Sequence, residues 1–297
     1  MNGCDSPCCF RSSPRGDIRA LIELNSDCNL KCSWCHSHGG SSARMSYTDA
    51  CSALNALKRL GVKGVIFSGG EPLLWRWLPS LLEHASNMGF QLDLCTNATL
   101  IDDEAAVMLR AYLSEVSVSL DSYIPQRHDV IRGVSGAWEK AVGGIRALTT
   151  AGLTVHATMM VCDQNAGDID GTLWLLSKLG VPSVALLGLM GSDGVFRLSA
   201  NTRKTLSESL ESIRLRYPSM VVHTKRILAM DPGDACPAGR TFFGIDRQGR
   251  LLPCPLFKSG EAGIPLAEAT TLEPRLLQER LLALAAGKNA ACYQERG

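Results

Sequence analysis

The chain has 297 residues, 45% of them hydrophobic and 20% charged, with a formal net charge of +1. That length accommodates one large α/β domain with a small appendage, and the composition excludes wholesale disorder. A near-neutral charge leaves no electrostatic footprint for nucleic acid or an anionic membrane, and no apolar run reaches the roughly 18 residues of a membrane helix.

Residues 1–17 are rich in Cys, Ser and Pro and lack the apolar core of a secretion signal, so they are expected to form a flexible arm. Twelve cysteines in a chain without such a signal read as reduced thiols and cluster ligands, which points to a cytoplasmic location. From there strand-like and helix-like segments alternate. Strands are expected at residues 19–24, 64–67, 91–95, 115–120, 153–161 and 183–187. Helices are expected at 47–60, 78–88, 102–111, 137–150 and 168–179, several of them closed by Gly. Strict βα alternation implies a parallel sheet with helices outside it, and functional groups at the C-terminal strand ends. Residues 202–217 read as one more helix, 242–245 and 250–252 as a hairpin around Gln248-Gly249, and 272–286 as a terminal helix. The expected organisation is an arm at 1–17, an α/β barrel at 18–217 and a small domain at 218–297.

Cys28, Cys32 and Cys35 fall in Cys-Asn-Leu-Lys-Cys-Ser-Trp-Cys, just past the first strand. This spacing supplies three thiolates without a nearby fourth, enough for three corners of a 4Fe–4S cube with one iron left open. A structural zinc site takes four protein ligands in paired short spacings. His36 directly follows Cys35, so the two side chains cannot share one ion. Further along, Ser68-Gly69-Gly70-Glu71-Pro72 follows the second strand, Thr96-Asn97 the third, and Ser119-Leu120-Asp121 closes the fourth. Arg132 lies in His-Asp-Val-Ile-Arg-Gly, and Gly188 follows the sixth strand. Each alone reads as a turn or cap; four strand ends agreeing in order favour a functional set.

The motifs resemble those of the radical S-adenosylmethionine (SAM) superfamily over roughly residues 18–255. The resemblance implies a partial (β/α)6 radical SAM barrel with a small C-terminal auxiliary-cluster domain, a SAM-binding 4Fe–4S cluster and SAM itself. It implies that the Gly-Gly-Glu-Pro segment holds the SAM amino group. Thr96, Asn97, Ser119 and Asp121 would orient the ribose and amino acid moieties, and Arg132 would meet the carboxylate. Gly188 and Trp34 would pass beside adenine. It also implies an electron donor of flavodoxin or ferredoxin type. Cys236, the hairpin and Cys254-Pro255 resemble a twitch or SPASM module with an auxiliary 4Fe–4S cluster, to which Cys292 adds a third ligand. A fourth is missing, so an open iron, a non-cysteine ligand or one of Cys4, Cys8 and Cys9 stays open. Cys51 reads as packing, as do Cys95 and Cys162, although both lie near a strand end where a thiol donates hydrogen to a carbon radical.

Radical initiation is fixed better than the substrate. The expectation is a small-molecule enzyme resembling aminoglycoside-type sugar epimerases, with Cys254 or Cys292 as catalytic hydrogen donor. Alternatives are a dehydrogenase of the same substrates, a peptide maturase, or a non-catalytic SAM and iron–sulfur sensor. A molybdopterin-type nucleotide cyclase matches less well, because only Cys236 precedes Cys254 where a Cys pair is expected.

Overall fold

A computed structural model describes residues 17–32, 34–35, 43–188, 198–224, 238–255 and 263–294, with side chains through Ala285. Cys4, Cys8, Cys9, His36 and Cys236 lie outside the described residues, as does the side chain of Cys292. The strands are β1 (Arg19–Glu23), β2 (Gly64–Ser68), β3 (Gln91–Thr96), β4 (Glu115–Ser119), β5 (Thr154–Val161), β6 (Ser183–Gly188), β7 (Val221–His223), β8 (Phe242–Ile245), β9 (Arg250–Leu252) and β10 (Ile264–Pro265). The helices are α1 (Tyr47–Arg59), α2 (Leu78–Asn87), α3 (Asp103–Arg110), α4 (Pro125–Arg132), α5 (Ala137–Thr150), α6 (Ile169–Lys178), α7 (Ala200–Arg216), α8 (Leu266–Ala269) and α9 (Pro274–Gln294).

Among the described residues, all ten strands join one sheet in the order β10-β9-β8-β1-β2-β3-β4-β5-β6-β7. From β8 through β7 every neighbouring pair is parallel, and β9 and β10 add antiparallel turns at one edge. Alternation along β5 shows why the helices cover one face. Val155, Ala157, Met159 and Val161 are fully buried and share a core with Leu54 and Leu57 of α1, Ile145 and Leu148 of α5, and Leu173 and Leu176 of α6. His156, Thr158 and Met160 point to the other face and are half-buried. So are Asp93, Cys95, Ser117 and Ser119, while Leu21, Ile66 and Phe242 form a second, smaller apolar cluster there. A flat bare sheet face would expose these side chains; the sheet coils around them, as in a parallel barrel left open on one side.

Two features differ from the sequence expectation. The sequence patterns place no element over 125–132, yet helix α4 forms there, with Pro125 in its first turn and Gly133 as a left-handed C-cap at φ 72°. Its apolar stripe is weak, so periodicity does not reveal it. Strand β7 falls inside the segment expected to begin a separate domain at 218, but it pairs in parallel with β6. At the opposite edge β8 pairs in parallel with β1, Arg19 opposite Phe242 and Leu21 opposite Gly244. The last third of the chain thus supplies strands to both sides of the sheet.

Candidate cluster and cofactor site

The cysteine loop leaves β1 through Asn25, Ser26 and Asp27, and neighbouring strand ends lace this segment in place. The chain returning from the loop bonds to it, Ser26 N to Ala43 O at 3.0 Å and Met45 N to Leu24 O at 2.8 Å. On the other side Gly70 N donates to Asn25 O at 2.8 Å and Glu71 N to Asp27 O at 2.7 Å. A Cβ on Gly70 would stand 2.2 Å from Asp27 O, and one on Gly69 2.6 Å from Asn25 O. The close approach these glycines allow is to the chain's own backbone.

Cys28, Cys32 and Cys35 gather with Leu30, Trp34, Val134 and Ala137 in an apolar cluster separate from the main core. Leu30 N lies 3.4 Å and Asn97 Nδ2 3.8 Å from Cys28 Sγ, and Arg132 Nη1 lies 3.8 Å from Cys32 Sγ. Burial pushes the Cys28 and Cys32 thiols up, a cost that a bound iron removes by supplying positive charge. Among the described residues no trio of His, Cys, Asp or Glu converges on one ion. Thiolates on a 4Fe–4S cube each bind a different iron, so convergence on a point is not required. Apolar walls, three thiols and N–H donors aimed at sulfur fit such a cluster.

Asn97 braces the loop. Its Nδ2 donates to Asn29 Oδ1 at 2.9 Å, and its Oδ1 accepts from Thr99 N at 2.9 Å. Glu71 is fully buried, and its carboxylate accepts from Leu73 N, Thr96 Oγ1 and Asn97 N at 3.2, 2.8 and 2.9 Å. Burial lifts its pKa to about 6 despite these donors. The Gly-Gly-Glu turn, the third strand end and the cysteine loop are therefore one hydrogen-bonded body.

Asp121 and Arg132 form the second body. Asp121 is fully buried; its Oδ1 accepts from Arg132 Nη2 at 2.9 Å and from Met160 N at 2.9 Å, and Arg132 Nε lies 2.5 Å from its Oδ2. Burial opposes the charge on Arg132, but Asp121 and Cys32 outweigh it and hold the guanidinium above its usual pKa. The same guanidinium stands 5.5 Å from the Trp34 ring. Asp121 and Arg132, expected to meet ribose and carboxylate separately, are brought together as a buried ion pair in which Asp121 Oδ2 and Arg132 Nε have no hydrogen-bond partner. His128 Nδ1 accepts from Asp121 N at 3.1 Å, and burial lowers its pKa to about 4. Asn165 Nδ2 donates to Asp121 O and Met160 O, both at 2.7 Å. His128 and Asn165 were not singled out from sequence; the one available signal was a polar residue near a strand end. Lys31 N donates to Arg132 O at 2.9 Å, and a Cβ on Gly133 would stand 2.4 Å from Lys31 O, so α4 is fastened to the cysteine loop.

The remaining expected residues lie around the inner face. Ser68 aligns with Glu23 on one side. Cys95 aligns with Ser117, and Ser117 with His156. Ser119 Oγ lies 3.4 Å from Thr158 Oγ1, and Gly188 ends β6 opposite Val161. Cys162 is buried beside Asn165, and Cys51 packs against the helical core. Gly244 faces the inner side of β8, where an added Cβ would stand 2.8 Å from Pro255; its missing side chain is the space over which Cys254-Pro255 folds. Gly239 N donates to Pro253 O at 2.7 Å, and Gln278 Nε2 to Gly239 O at 3.2 Å.

A parallel α/β sheet curled around a polar inner face, with a three-cysteine loop braced at its C-terminal rim, defines an iron–sulfur enzyme that acts at the strand ends. The chain matches the Radical SAM superfamily over residues 22–176 and belongs to that family. A probable GTP 3',8-cyclase of Methanosarcina mazei is 29% identical, covering 92% of this chain and 86% of the relative. An Fe-coproporphyrin III synthase of Methanosarcina barkeri is 31% identical over 192 residues, covering 63% of this chain and 48% of that protein. Among solved structures, SuiB of Streptococcus suis bound to S-adenosylmethionine aligns with TM-score 0.72 at 17% identity, over 89% of this chain and 65% of SuiB. The anSMEcpe structure with bound AdoMet and the Cp18Cys peptide aligns with TM-score 0.70 at 17% identity, over 90% and 82%. No sugar epimerase is among these relatives, so the expected sugar resemblance gains nothing from them. The family carries its cofactors with it: the protein uses a 4Fe–4S cluster and SAM. Among the described residues no helix is long and apolar enough to cross a membrane.

Proposed function

We propose that this radical SAM enzyme oxidises a peptide. Cys28, Cys32 and Cys35 hold the cluster, and Asn97, Arg132 and the Glu71 turn keep its loop in shape. The bound cluster and SAM supply a 5′-deoxyadenosyl radical that takes hydrogen from the substrate. The Ser68 to Glu71 turn, Thr96, Ser119, Gly188 and the Asp121–Arg132 pair form the SAM side of the site. The observation that supports a peptide substrate is the charge of the inner face. At the C-terminal strand ends Arg247 lies 3.8 Å from Glu23, with its Nε and Nη1 buried and without a hydrogen-bond partner, while Arg19 pairs with Asp93 toward the opposite end of the sheet. A triphosphate or a porphyrin bearing several propionates calls for several surplus cations, and Arg247 beside the Glu23 carboxylate supplies less than that. A neutral, polar peptide suits it, and peptides occupy the SuiB and anSMEcpe structures whose fold this chain shares.

Gly239 ties the chain after Cys236, the chain before Cys254 and the helix carrying Cys292 into one knot, which supports an auxiliary 4Fe–4S cluster on these three cysteines. With Cys254 among its ligands, such a cluster would accept the electron of the substrate radical, whose proton would leave to solvent. A second bond forms and no hydrogen returns.

Two measurements test this reading. The reconstituted, dithionite-reduced enzyme is incubated with SAM and, separately, GTP, Fe-coproporphyrin III or a peptide encoded beside its gene. The peptide is expected to become two hydrogens lighter without taking up deuterium from deuterium oxide. A cyclised GTP product overturns the substrate class, and a peptide of unchanged mass plus one solvent deuterium establishes epimerisation with a thiol donor. Iron content is expected near eight per chain, falling to about four when Cys236 and Cys292 are both replaced by Ala. Iron near four in the wild type removes the auxiliary cluster.

A further inference from the structure

One cation at the strand ends has donors that the chain does not use. Arg247 sits in the tight turn between β8 and β9, and its guanidinium reaches across to Glu23, the last residue of β1. Glu23 is on the inner face of its strand with Leu21, which packs there against Ile66 and Phe242, whereas Ile22 packs in the main core. The Arg247 side chain is 13% exposed, and its Nε and Nη1 are buried without a hydrogen-bond partner. A guanidinium only donates, so two buried nitrogens without acceptors carry a desolvation cost that no contact of the chain offsets.

The turn holds this side chain on a fixed support. Asp246 Oδ1 accepts from Gln248 N at 3.0 Å and from Arg250 N at 2.9 Å, and its Oδ2 accepts from Arg250 Nε at 2.9 Å. Gly249 closes the turn at φ 71° and donates to Asp246 O, and Leu266 N donates to Gly249 O, both at 2.9 Å. Arg250 is thereby committed to the turn, and Arg247 to the inner face.

Glu23 also defines what Arg247 can take. Its Oε2 lies 3.8 Å from Nη1, close enough to balance charge and too far to fill a hydrogen bond. A carboxylate arriving there would meet Glu23 as a like charge. A carbonyl oxygen accepts the N–H and adds no charge. The strand ends on the SAM side belong to β2 through β6, whereas β8 flanks β1 on the other side, so the acceptor is sought on the substrate.

We propose that Arg247 is a substrate-binding residue that donates to a main-chain carbonyl oxygen of the peptide, beside the strand that leads into the cluster loop. The inference rests on the peptide reading above. Held at one carbonyl, the peptide presents the reacting hydrogen in a fixed direction; without that hold it meets the 5′-deoxyadenosyl radical in the wrong orientation.

The test uses the reconstituted holoenzyme and a peptide encoded beside its gene, with main-chain carbonyls replaced one at a time by thiocarbonyls, which are weaker acceptors. In the wild type one such replacement is expected to raise KM about tenfold. Arg247→Met is expected to raise KM for the unmodified peptide by a similar factor, to form more 5′-deoxyadenosine per peptide oxidised, and to be indifferent to the thiocarbonyl at that position. Arg247→Lys keeps a cation beside Glu23 and is expected to recover part of the loss. An unchanged KM in Arg247→Met overturns the proposal. So does a loss of SAM affinity or of iron in both variants, which assigns the guanidinium to the cofactors. A KM that responds to neutralising the peptide's acidic side chains, and to no thiocarbonyl, makes the partner a carboxylate and overturns the neutral acceptor. A wild type that cleaves SAM yet neither binds nor oxidises the peptide overturns the peptide reading itself, and this inference with it; that failure shows in the wild type alone, before any variant is made.

Discussion

Arg132 shows how much a single side chain settles at this site. It neutralises buried Asp121, donates toward Cys32 and lies against Trp34, so one cation couples the fourth strand end to the cluster loop. Removing one partner of a buried pair costs about 3–5 kcal/mol because the other charge is stranded. His128 sets a pH limit on the same body. Burial lowers its folded pKa to about 4 from an ordinary 6.5. Between these values the unfolded chain binds the extra proton, so stability rises with pH across that window and is lost as pH falls from 6.5 toward 4. The full effect is about 3 kcal/mol. His128→Asn keeps an acceptor for Asp121 N and removes the titration. Urea unfolding of the cluster-free chain at pH 7 and pH 4.5 is expected to show a smaller acid loss in the variant than in the wild type; equal losses would remove His128 from the account.

At the scale of elements, the cluster loop keeps its shape through contacts with its neighbours. Gly70 is the point where the second strand end presses on it. Gly70→Ala would place a methyl 2.2 Å from Asp27 O and force apart the bonds at Gly70 N and Glu71 N. Iron content after reconstitution is expected to fall by half or more, while the thermal midpoint of the cluster-free protein drops only a few degrees, about 1–2 kcal/mol. Full iron loading would show that the lacing is dispensable.

The sequence revealed the strands and most helices because buried βα units write their period plainly, as Val155 to Val161 and Leu54 to Leu57 do. It revealed the three cysteines through spacing alone. It did not reveal α4, whose stripe is weak and whose role is to deliver Arg132, nor the three-residue β7. Nor could it show that Asn97 faces the loop or that Asp121 is already occupied by Arg132. Those facts depend on which strand ends become neighbours, and a one-dimensional pattern carries no such information.

The described strands of the whole molecule form one continuous sheet. β1 has β2 on one side and β8 on the other, and β7 extends the far edge. A chain ending after residue 224 would keep β7 but leave the apolar strand Arg19–Glu23 as a bare edge, ready to pair with another molecule. Such a truncated protein is expected to sediment as aggregate on expression, whereas the full chain stays in the supernatant. A soluble, SAM-cleaving fragment would show that the barrel stands without its last third.

The pairing of Arg19 with Phe242 also fixes an order of assembly. A ribosome makes the strand that leads into the cluster loop first and makes its second neighbour more than two hundred residues later, at a synthesis rate of about 5–20 residues per second. For that interval, ten seconds or more, one flank of the loop stands uncovered while the opposite flank is already in place. Cluster delivery therefore has an open door during synthesis that closes when the hairpin of β8 and β9 arrives. Synonymous codons that slow or hasten the final third of the message should change how much iron the newly made enzyme carries, with no change in its amino-acid sequence.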